Sequence, residues 1–439
     1  MFASVANLFR IPELRNRIFF TIMMLCLYRV GWNIPIPGID PGRIRELADK
    51  ASGDAGGLGQ FLDIISGGGM QQAALFSLGI MPYISASIIF SLLVKVVPAL
   101  EKLSKEGSAG QRKISQWTRL STVPICLVQG LFTVRGYANR TFAFDSLGGA
   151  QLPITFDPDP GIGFVLTAVL TVTAGTILLM WIGELITENG VGNGISMLIM
   201  AGIVARLPQA VAGANLPVAK SFLLSALFVL VVLGVVFITK GQRKIPVQYA
   251  KLTRGRKVYG GQRHYLPIRV NQAGVMPVIF ASALLAFPPM VLTAVGLTSL
   301  ASAMAYGQYL WSLCYVLLTY FFAFFWVALM FNPVEMSKNM KEAGGFIPGI
   351  RPGRPTAEHL EKIMNRVTLA GATFLALIAV LPVAFASTLN LPGTLTIYLG
   401  GTTILIVVSV ALDLVDKLNS YLLMRNYEGF MRGGGGKGR

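Results

Sequence analysis

Long apolar runs constrain this chain more than any other feature. Ten runs of about 20 residues alternate with charged or Pro/Gly-rich breaks, and a helix of that length crosses about 30 Å of hydrocarbon. Only 13% of the residues are charged, against about 25% in a typical soluble domain. The pattern excludes an ordinary soluble enzyme and predicts an all-α polytopic membrane protein. The predicted spans are 18–37, 72–97, 116–135, 162–182, 192–212, 221–239, 271–292, 309–331, 367–387 and 394–413.

The distribution of basic residues predicts the orientation of the spans. An even number of spans puts both termini on one side, and the segments on that side hold 29 of the 37 Lys and Arg residues. Cytoplasmic loops carry the excess of Lys and Arg in membrane proteins. Both termini are therefore predicted to be cytoplasmic, and most of the net charge of +17 belongs to that surface.

Two of the cytoplasmic segments stand out. Segment 240–269 holds nine basic residues and no Asp or Glu. It is open to two interpretations: a topology signal with contact to anionic lipid, or added docking of an acidic partner such as RNA. Segment 332–366 is mixed in sign and contains GGFIPGIRPGRP, which predicts a shaped loop. Residues 415–439 end in RGGGGKGR and are predicted to form a basic cytoplasmic tail.

A short motif occurs twice, five spans apart. Gly79 to Ala86 reads GIMPYISA and Gly274 to Ala281 reads GVMPVIFA, with five of eight positions identical. An odd-numbered offset makes the copies run in opposite directions, as an inverted duplication of five helices would. The proline in each copy predicts a bend in spans two and seven. The bends are open to two interpretations: plain structural kinks, or helices that line a path and move.

Residues that carry chemistry are scarce in the spans. Arg29 lies in the first span, and Glu184, Glu188 and Asp413 fall at cytoplasmic span ends, where anchoring at the interface is the simpler interpretation. The sequence contains no nucleotide-binding or zinc-protease motif, so we predict no catalysis, metal or cofactor. A conducting path through such helices would have an apolar constriction, which blocks ions and favours a bulky, variable cargo such as an unfolded polypeptide.

Two other classes of function are open from the residues alone. A secondary transporter of a small solute would explain the inverted repeat, but it requires a polar or charged site near mid-membrane. An intramembrane enzyme or an assembly scaffold would explain the helical bundle, but the enzyme requires a nucleophile or a metal set.

Seven stretches of the chain carry a family resemblance. They are IPIPGID (34–40), SLGIMPYISASII (77–89), EGSAGQRKISQWTR (106–119), MWIGELITENGVGNGIS (180–196), VNQAGVMPVIFAS (270–282), FIPGIRPGRPT (346–356) and GGTTILIVVSV (400–410). These stretches resemble the SecY family, the large subunits of bacterial protein-translocation channels. The resemblance implies two pseudosymmetric five-helix halves, 1–213 and 214–414, around a central pore. It implies passage of unfolded polypeptides across the bacterial cytoplasmic membrane and sideways release of membrane helices through a lateral gate.

The resemblance also assigns roles to individual residues. It implies a pore ring at Ile80, Ile84, Ile195, Ile199, Ile279 and Ile406. It implies lateral-gate bonds at Ser85, Ser87, Asn271 and Gln272. It implies a docking surface at Arg243, Lys244, Arg254, Arg256, Lys257 and Arg351. For Arg351 a brace to a backbone carbonyl is the open alternative.

A plug is implied within the first outer loop. Segment 61–70 is too short to span and by its residues alone would lie at the surface or re-enter a protein-lined cavity. The resemblance favours a plug formed by Phe61, Leu62, Ile64, Ile65, Ser66, Gly67 and Gly68. The implied partners are the small subunits SecE and SecG, the motor ATPase SecA, the ribosome through its RNA, polypeptides with signal sequences, and membrane lipids.

Overall fold

Most of the described chain is helical. The computed structural model describes residues 11–40, 73–139, 161–212, 217–249, 252–254, 257–259, 263–285, 288, 292, 297–304, 308–389 and 400–433. The helices are α1 (Pro12–Gly31), α2 (Met81–Val96), α3 (Pro98–Lys105), α4 (Ser108–Asn139), α5 (Ile162–Asn189), α6 (Gly194–Ala212), α7 (Val218–Lys240), α8 (Met276–Leu285), α9 (Thr298–Ala303), α10 (Tyr309–Met330), α11 (Pro333–Glu342), α12 (Arg354–Leu389) and α13 (Gly401–Gly433). The strands are β1 (Gln242–Tyr249), β2 (Leu252–Arg254), β3 (Lys257–Tyr259), β4 (Arg263–Arg269) and β5 (Gly345–Phe346). Each predicted span overlaps one of these helices.

Several helices have the length and composition of membrane spans. Four helical segments of the described chain meet both requirements, namely Ile162–Asn189, Val218–Lys240, Tyr309–Glu342 and Arg354–Phe385. The pair α2 and α3, bent by 97°, adds a fifth if it is counted as one span. The bend lies at Val97, which has an extended backbone because the residue before a proline is disfavoured in the helical region. The chain is therefore a mostly helical, polytopic protein.

The described residues from Gln242 onward in segment 240–269 form strands β1 to β4, which we call the β-ribbon, so the prediction of an all-α chain is wrong there. β1 pairs antiparallel with β4, placing Ile245 opposite Leu266, and β5 pairs with the other edge of β1. β2 and β3 form a separate two-stranded hairpin. The physical reason is alternation, since buried Ile245, Val247 and Ile268 alternate with exposed residues as they do in a half-buried strand. The number of charges in a segment does not show this alternation of apolar and polar residues.

The chain divides into two compact units. Unit 1 comprises Met1–Asn215, Leu391–Tyr398 and Val410–Arg439, and unit 2 comprises Leu216–Asn390 and Leu399–Ser409. The first part of α13 therefore belongs to unit 2 and the rest belongs to unit 1.

Helices α4 and α5 form the centre of unit 1. α4 packs on α2 and α5, and α5 also packs on α1 and α6. The buried hydroxyls of Thr122 and Thr176 donate to the carbonyl four residues earlier in their own helices, so they are satisfied inside apolar packing. A Cβ at Gly175 would overlap the carbonyl oxygen of Leu75. Glycine there lets the segment before α2 lie directly against α5.

Unit 2 combines a helical bundle with the β-ribbon. α12 packs on α7, α10 and α11. The ring of Phe280, on α8, stacks on Phe322 of α10 at 5.3 Å between ring centres. A separate apolar cluster joins the ribbon to the adjoining ends of α10 and α12, and its buried members are Ile245, Ile268, Ala273, Val327, Ile347, Leu360, Ile363 and Met364. The ribbon is therefore a packed part of unit 2 and not a loose loop.

Candidate pore lining and docking surface

Four of the six predicted pore-ring isoleucines share one apolar cluster of unit 1. Ile80 and Ile84 lie at the start of α2, and Ile195 and Ile199 lie at the start of α6. Ile80 is buried and the other three are half-buried. We call these four isoleucines the lining cluster. The buried residues around them are Met24, Tyr28, Trp32, Phe76, Leu179, Ile182, Ile186 and Leu198, none of which carries a formal charge at neutral pH.

Both copies of the repeated motif begin a helix. α2 begins at Met81 and α8 begins at Met276, two residues after the motif glycine and with proline in the first turn. Gly79 and Gly274 have φ angles of +55° and +66°, a region that glycine enters at little cost. The predicted bend within these helices is therefore wrong. Proline in the first turn lacks only an N–H that would have no partner inside the helix, so it starts the helix without weakening it.

Ile84 and Ile279 occupy equivalent positions of the two copies. The N–H of Ile84 donates to the carbonyl of Ile80 at 3.1 Å, and the N–H of Ile279 donates to the carbonyl of Val275 at 3.2 Å. The motif thus gives both predicted ring residues the same place in a first helical turn. In unit 2, Ile279 is half-buried on α8, and Ile406, the sixth predicted ring residue, is 6% exposed on α13.

A glycine-rich turn places the other two residues of the lining cluster. Asn193 caps α6, because its Oδ1 accepts hydrogen bonds from the N–H of Ile195 at 3.1 Å and of the next residue at 3.3 Å. The Oγ1 of Thr187 accepts from the N–H of Gly194 at 2.9 Å. A Cβ at Gly194 would overlap the carbonyl oxygen of Gly183. Glycine therefore allows the start of α6 to lie directly against α5.

Helix α1 is bonded to the same turn. The Oγ1 of Thr21 accepts from the N–H of Val191 at 3.1 Å, and Nη1 of Arg17 donates to the carbonyl of Gly190 at 3.3 Å. The guanidinium of Arg17 also lies 5.7 Å from the ring centre of Tyr421, on α13. Sequence reasoning missed these contacts. The glycine-rich run between two apolar spans was the one signal for a tightly packed turn.

The predicted gate residues are divided between the units. Ser85 and Ser87 are half-buried on α2 in unit 1, and Asn271 and Gln272 precede α8 in unit 2. Ser87 accepts a bond from the hydroxyl of Ser91 at its carbonyl, at 2.7 Å. The Oε1 of Gln272 is buried and has no hydrogen-bond partner among the described residues. A buried amide oxygen without a partner has unused capacity to accept a bond.

The predicted plug lies outside the described residues. This applies to segment 61–70 as a whole, with Phe61, Leu62, Ile64, Ile65, Ser66, Gly67 and Gly68. The plug assignment stays a prediction.

The β-ribbon carries most of the predicted docking residues. Arg243 and Lys244 are exposed on β1, whereas the apolar side chains of the same strand are buried in unit 2. Arg254 pairs with Lys257 across the short hairpin of β2 and β3, and Arg256 lies outside the described residues. The buried apolar residues fix the strand, so that the basic side chains of β1 project from a packed support.

The second predicted docking segment is a braced loop. Arg351 is exposed, and its backbone carbonyl accepts a bond from the Oγ1 of Thr356 at 2.9 Å. The Oγ of Ser337 donates to the carbonyl of Gly353 at 2.7 Å. Gly349 and Gly353 have φ angles of +84° and +108°, which require glycine. In the part of the chain that the structure describes, the guanidinium of Arg351 makes no hydrogen bond or ion pair, so the brace to a backbone carbonyl is not seen.

Comparison with known proteins identifies the family. The family model described as SecY matches residues 74–415, a range that includes both motif copies and the glycine-rich turn. The chain belongs to the SecY family. This SecY-family chain is 44% identical to the protein translocase subunit SecY of Streptomyces galbus, over 98% of its own length and 100% of that relative. The family predicted from the seven sequence stretches is thus confirmed.

Solved structures share the fold of this SecY-family chain. "The structure of a protein conducting channel" matches with a TM-score of 0.57 at 18% identity, over 92% of each chain. "Sec61 in the Canine ribosome-channel complex from the endoplasmic reticulum" matches with a TM-score of 0.55 at 18% identity, again over 92% of each chain. At this identity the likeness is one of fold, and it shows the mostly helical, polytopic architecture of SecY and Sec61.

Proposed function

We propose that this chain is the pore-forming subunit of the general protein translocase of a bacterial cytoplasmic membrane. Membership of the SecY family makes it a subunit of a protein-conducting channel and not an enzyme. The lining cluster carries the proposal. Its four isoleucines lie at two helix starts, and their buried neighbours are apolar and uncharged. Such a constriction resists ions, which would have to shed their hydration there. Branched apolar side chains still yield to a threaded polypeptide, whatever its sequence.

The finer architecture is ten spans in two inverted five-helix halves, 1–213 and 214–414, with 415–439 as a cytoplasmic tail. The shared backbone of the two motif copies supports this arrangement, since both copies begin a helix after a glycine with positive φ. Ile279 and Ile406 complete the pore ring, and segment 61–70 is the plug of the resting channel.

Signal sequences and membrane helices leave sideways through a lateral gate that includes α2 and α8. Ser85, Ser87, Asn271 and Gln272 supply its polar bonds. Interhelical hydrogen bonds in membranes average about 0.6 kcal/mol, so such bonds break and re-form readily. The buried Oε1 of Gln272, without a partner among the described residues, supports this role.

The cytoplasmic basic surface binds the partners that supply energy. The ribosome is supported by the fold shared with the Sec61 of the canine ribosome-channel complex, and SecA is a second partner. Their docking residues are Arg243, Lys244, Arg254, Arg256, Lys257 and Arg351. SecE and SecG brace the two halves, anionic lipids contact the basic loops, and both termini are cytoplasmic.

Reconstitution tests this function. We expect proteoliposomes that contain the chain with its small subunits to take up a secretory precursor into a protease-protected form when SecA and ATP are added. Liposomes without the chain, and a precursor whose signal sequence lacks its apolar segment, serve as controls. Concentrative uptake of a small solute by the chain alone, with no precursor protection, would contradict the proposal and support a secondary transporter.

A further inference from the structure

Three charged side chains border the lining cluster in unit 1. The Nε of Arg119, on α4, lies 2.5 Å from the Oε1 of Glu184, on α5. The Glu184 side chain is 17% exposed and the Arg119 side chain is 42% exposed. Glu188 follows one turn later on α5 and is exposed, and its carboxylate forms no ion pair within the described ranges. We call Glu184 and Glu188 the acidic pair.

The acidic pair lies close to the residues that the proposed function places along the polypeptide path. A Cβ at Gly183, which adjoins Glu184, would be 3.2 Å from the Cγ1 of Ile195. Tyr83 packs against the same apolar cluster as Ile195. Its hydroxyl is close enough to Glu184 and Arg119 to interact electrostatically with both. The Glu184 carboxylate therefore lies near Tyr83, which packs beside the lining cluster, and Glu188 follows one turn later on α5.

The ion pair between Arg119 and Glu184 is exchangeable. A partly exposed ion pair contributes about 1 kcal/mol or less. The charge of Glu188, four residues along the helix, repels the charge of Glu184. Arg17 lies near Glu188, but its Nη1 donates to backbone carbonyls, that of Glu188 at 3.5 Å and that of Gly190 at 3.3 Å. A cation that reaches both carboxylates would relieve their repulsion and compete with Arg119 for Glu184.

The chemistry of the cargo supplies such cations. A signal sequence begins with a positively charged segment that is followed by an apolar segment. Here the lining cluster lies on α2 and α6, and the acidic pair lies on α5, which packs on α6. The site thus offers an apolar surface for one part of the signal and carboxylates for the other. We propose that the acidic pair binds the Lys and Arg side chains at the start of a signal sequence, and that Arg119 holds Glu184 until they arrive. This inference rests on the proposed function.

The test compares two precursors that differ only in the charge of the first segment, one with several Lys residues and one with none. The readout is the ratio of their translocation rates in proteoliposomes. We expect Glu184→Gln combined with Glu188→Gln to lower this ratio about fivefold, the effect of losing one partly exposed ion pair. Arg119→Gln should raise the ratio, because it frees Glu184 from its competitor.

A matched control uses Glu101, an exposed carboxylate on α3 that forms an ion pair with Lys105 at 2.8 Å. Glu101→Gln should leave the ratio unchanged. A purely structural tie between α4 and α5 predicts that Glu184→Gln and Arg119→Gln slow both precursors alike with an unaltered ratio, and that result overturns the inference. If the Glu184 variant does not fold, the single change Glu188→Gln, at an exposed position, replaces it in the measurement of the ratio. Failure of the unaltered protein to transport either precursor would contradict the proposed function instead.

Discussion

Ile84→Asn should make membranes that contain this protein leak ions in the resting state. Ile84 is half-buried in the lining cluster, whose buried neighbours are apolar residues without a formal charge. A polar amide there holds water in the constriction and lowers the desolvation cost of an ion. Lowering that cost by about 3 kcal/mol raises ion flux about 100-fold. Potassium flux from proteoliposomes, with the number of channels per vesicle held constant, measures the effect.

Ile89→Asn is the matched control for the leak. It makes the same change on the same helix, at a side chain that is 45% exposed and lies outside the lining cluster. Residues five positions apart on a helix point about 140° away from each other. We expect Ile89→Asn to leave the resting flux near that of the unaltered protein. Equal flux through both variants would remove Ile84 from the constriction.

Reversing the charges of Arg243 and Lys244 to Glu should weaken ribosome binding about tenfold or more at 0.1 M salt, because RNA phosphates attract exposed basic groups. Both side chains are exposed on β1, and the buried residues of that strand fix it in unit 2. The slope of log affinity against log salt should fall by roughly 1.5, since each lost phosphate contact removes about 0.7–0.9. A salt titration of ribosome binding to the detergent-solubilised protein gives both values.

The chain contains its own control for this reversal. The pentapeptide GQRKI occurs at 241–245 and again at 110–114, where it lies in α4 of unit 1. Arg112 and Lys113 are exposed there. Reversing these two residues changes the net charge by the same amount, and we expect affinity and salt slope to stay near their original values. An equal loss from both reversals would mean that ribosome binding depends on total charge and not on the β-ribbon.

The sequence predicted the helices well, because apolar runs of membrane length are a strong physical signal. It failed where local geometry competes with composition. Proline in the repeated motif indicated a bend, but the preceding glycine has positive φ and a helix begins at Met81 and at Met276. In both copies a glycine stands three residues before the proline, and the proline lies in the first turn of a helix and does not kink it.

The apolar residues of the candidate site were proposed from the sequence, whereas the polar contacts around them were missed. The family resemblance named the isoleucines, and the structure brings four of them together in unit 1. The bonds that fix them depend on contacts between residues far apart in sequence, such as Thr21 with Val191. Amino-acid composition does not show which distant residues contact each other. The ion pair of Arg119 with Glu184 was missed for the same reason, since each residue alone resembles an interface anchor.

The most direct test of the central claim stalls a secretory precursor midway through the membrane and places a photo-crosslinker at single positions of this chain. We predict adducts with the precursor from Ile84, Ile199 and Ile406. We predict none from Leu369 and Leu377, which are each 51% exposed on α12. Equal labelling from α12 and from the isoleucines, or labelling from α12 alone, would contradict the claim that a polypeptide passes through an isoleucine-lined constriction.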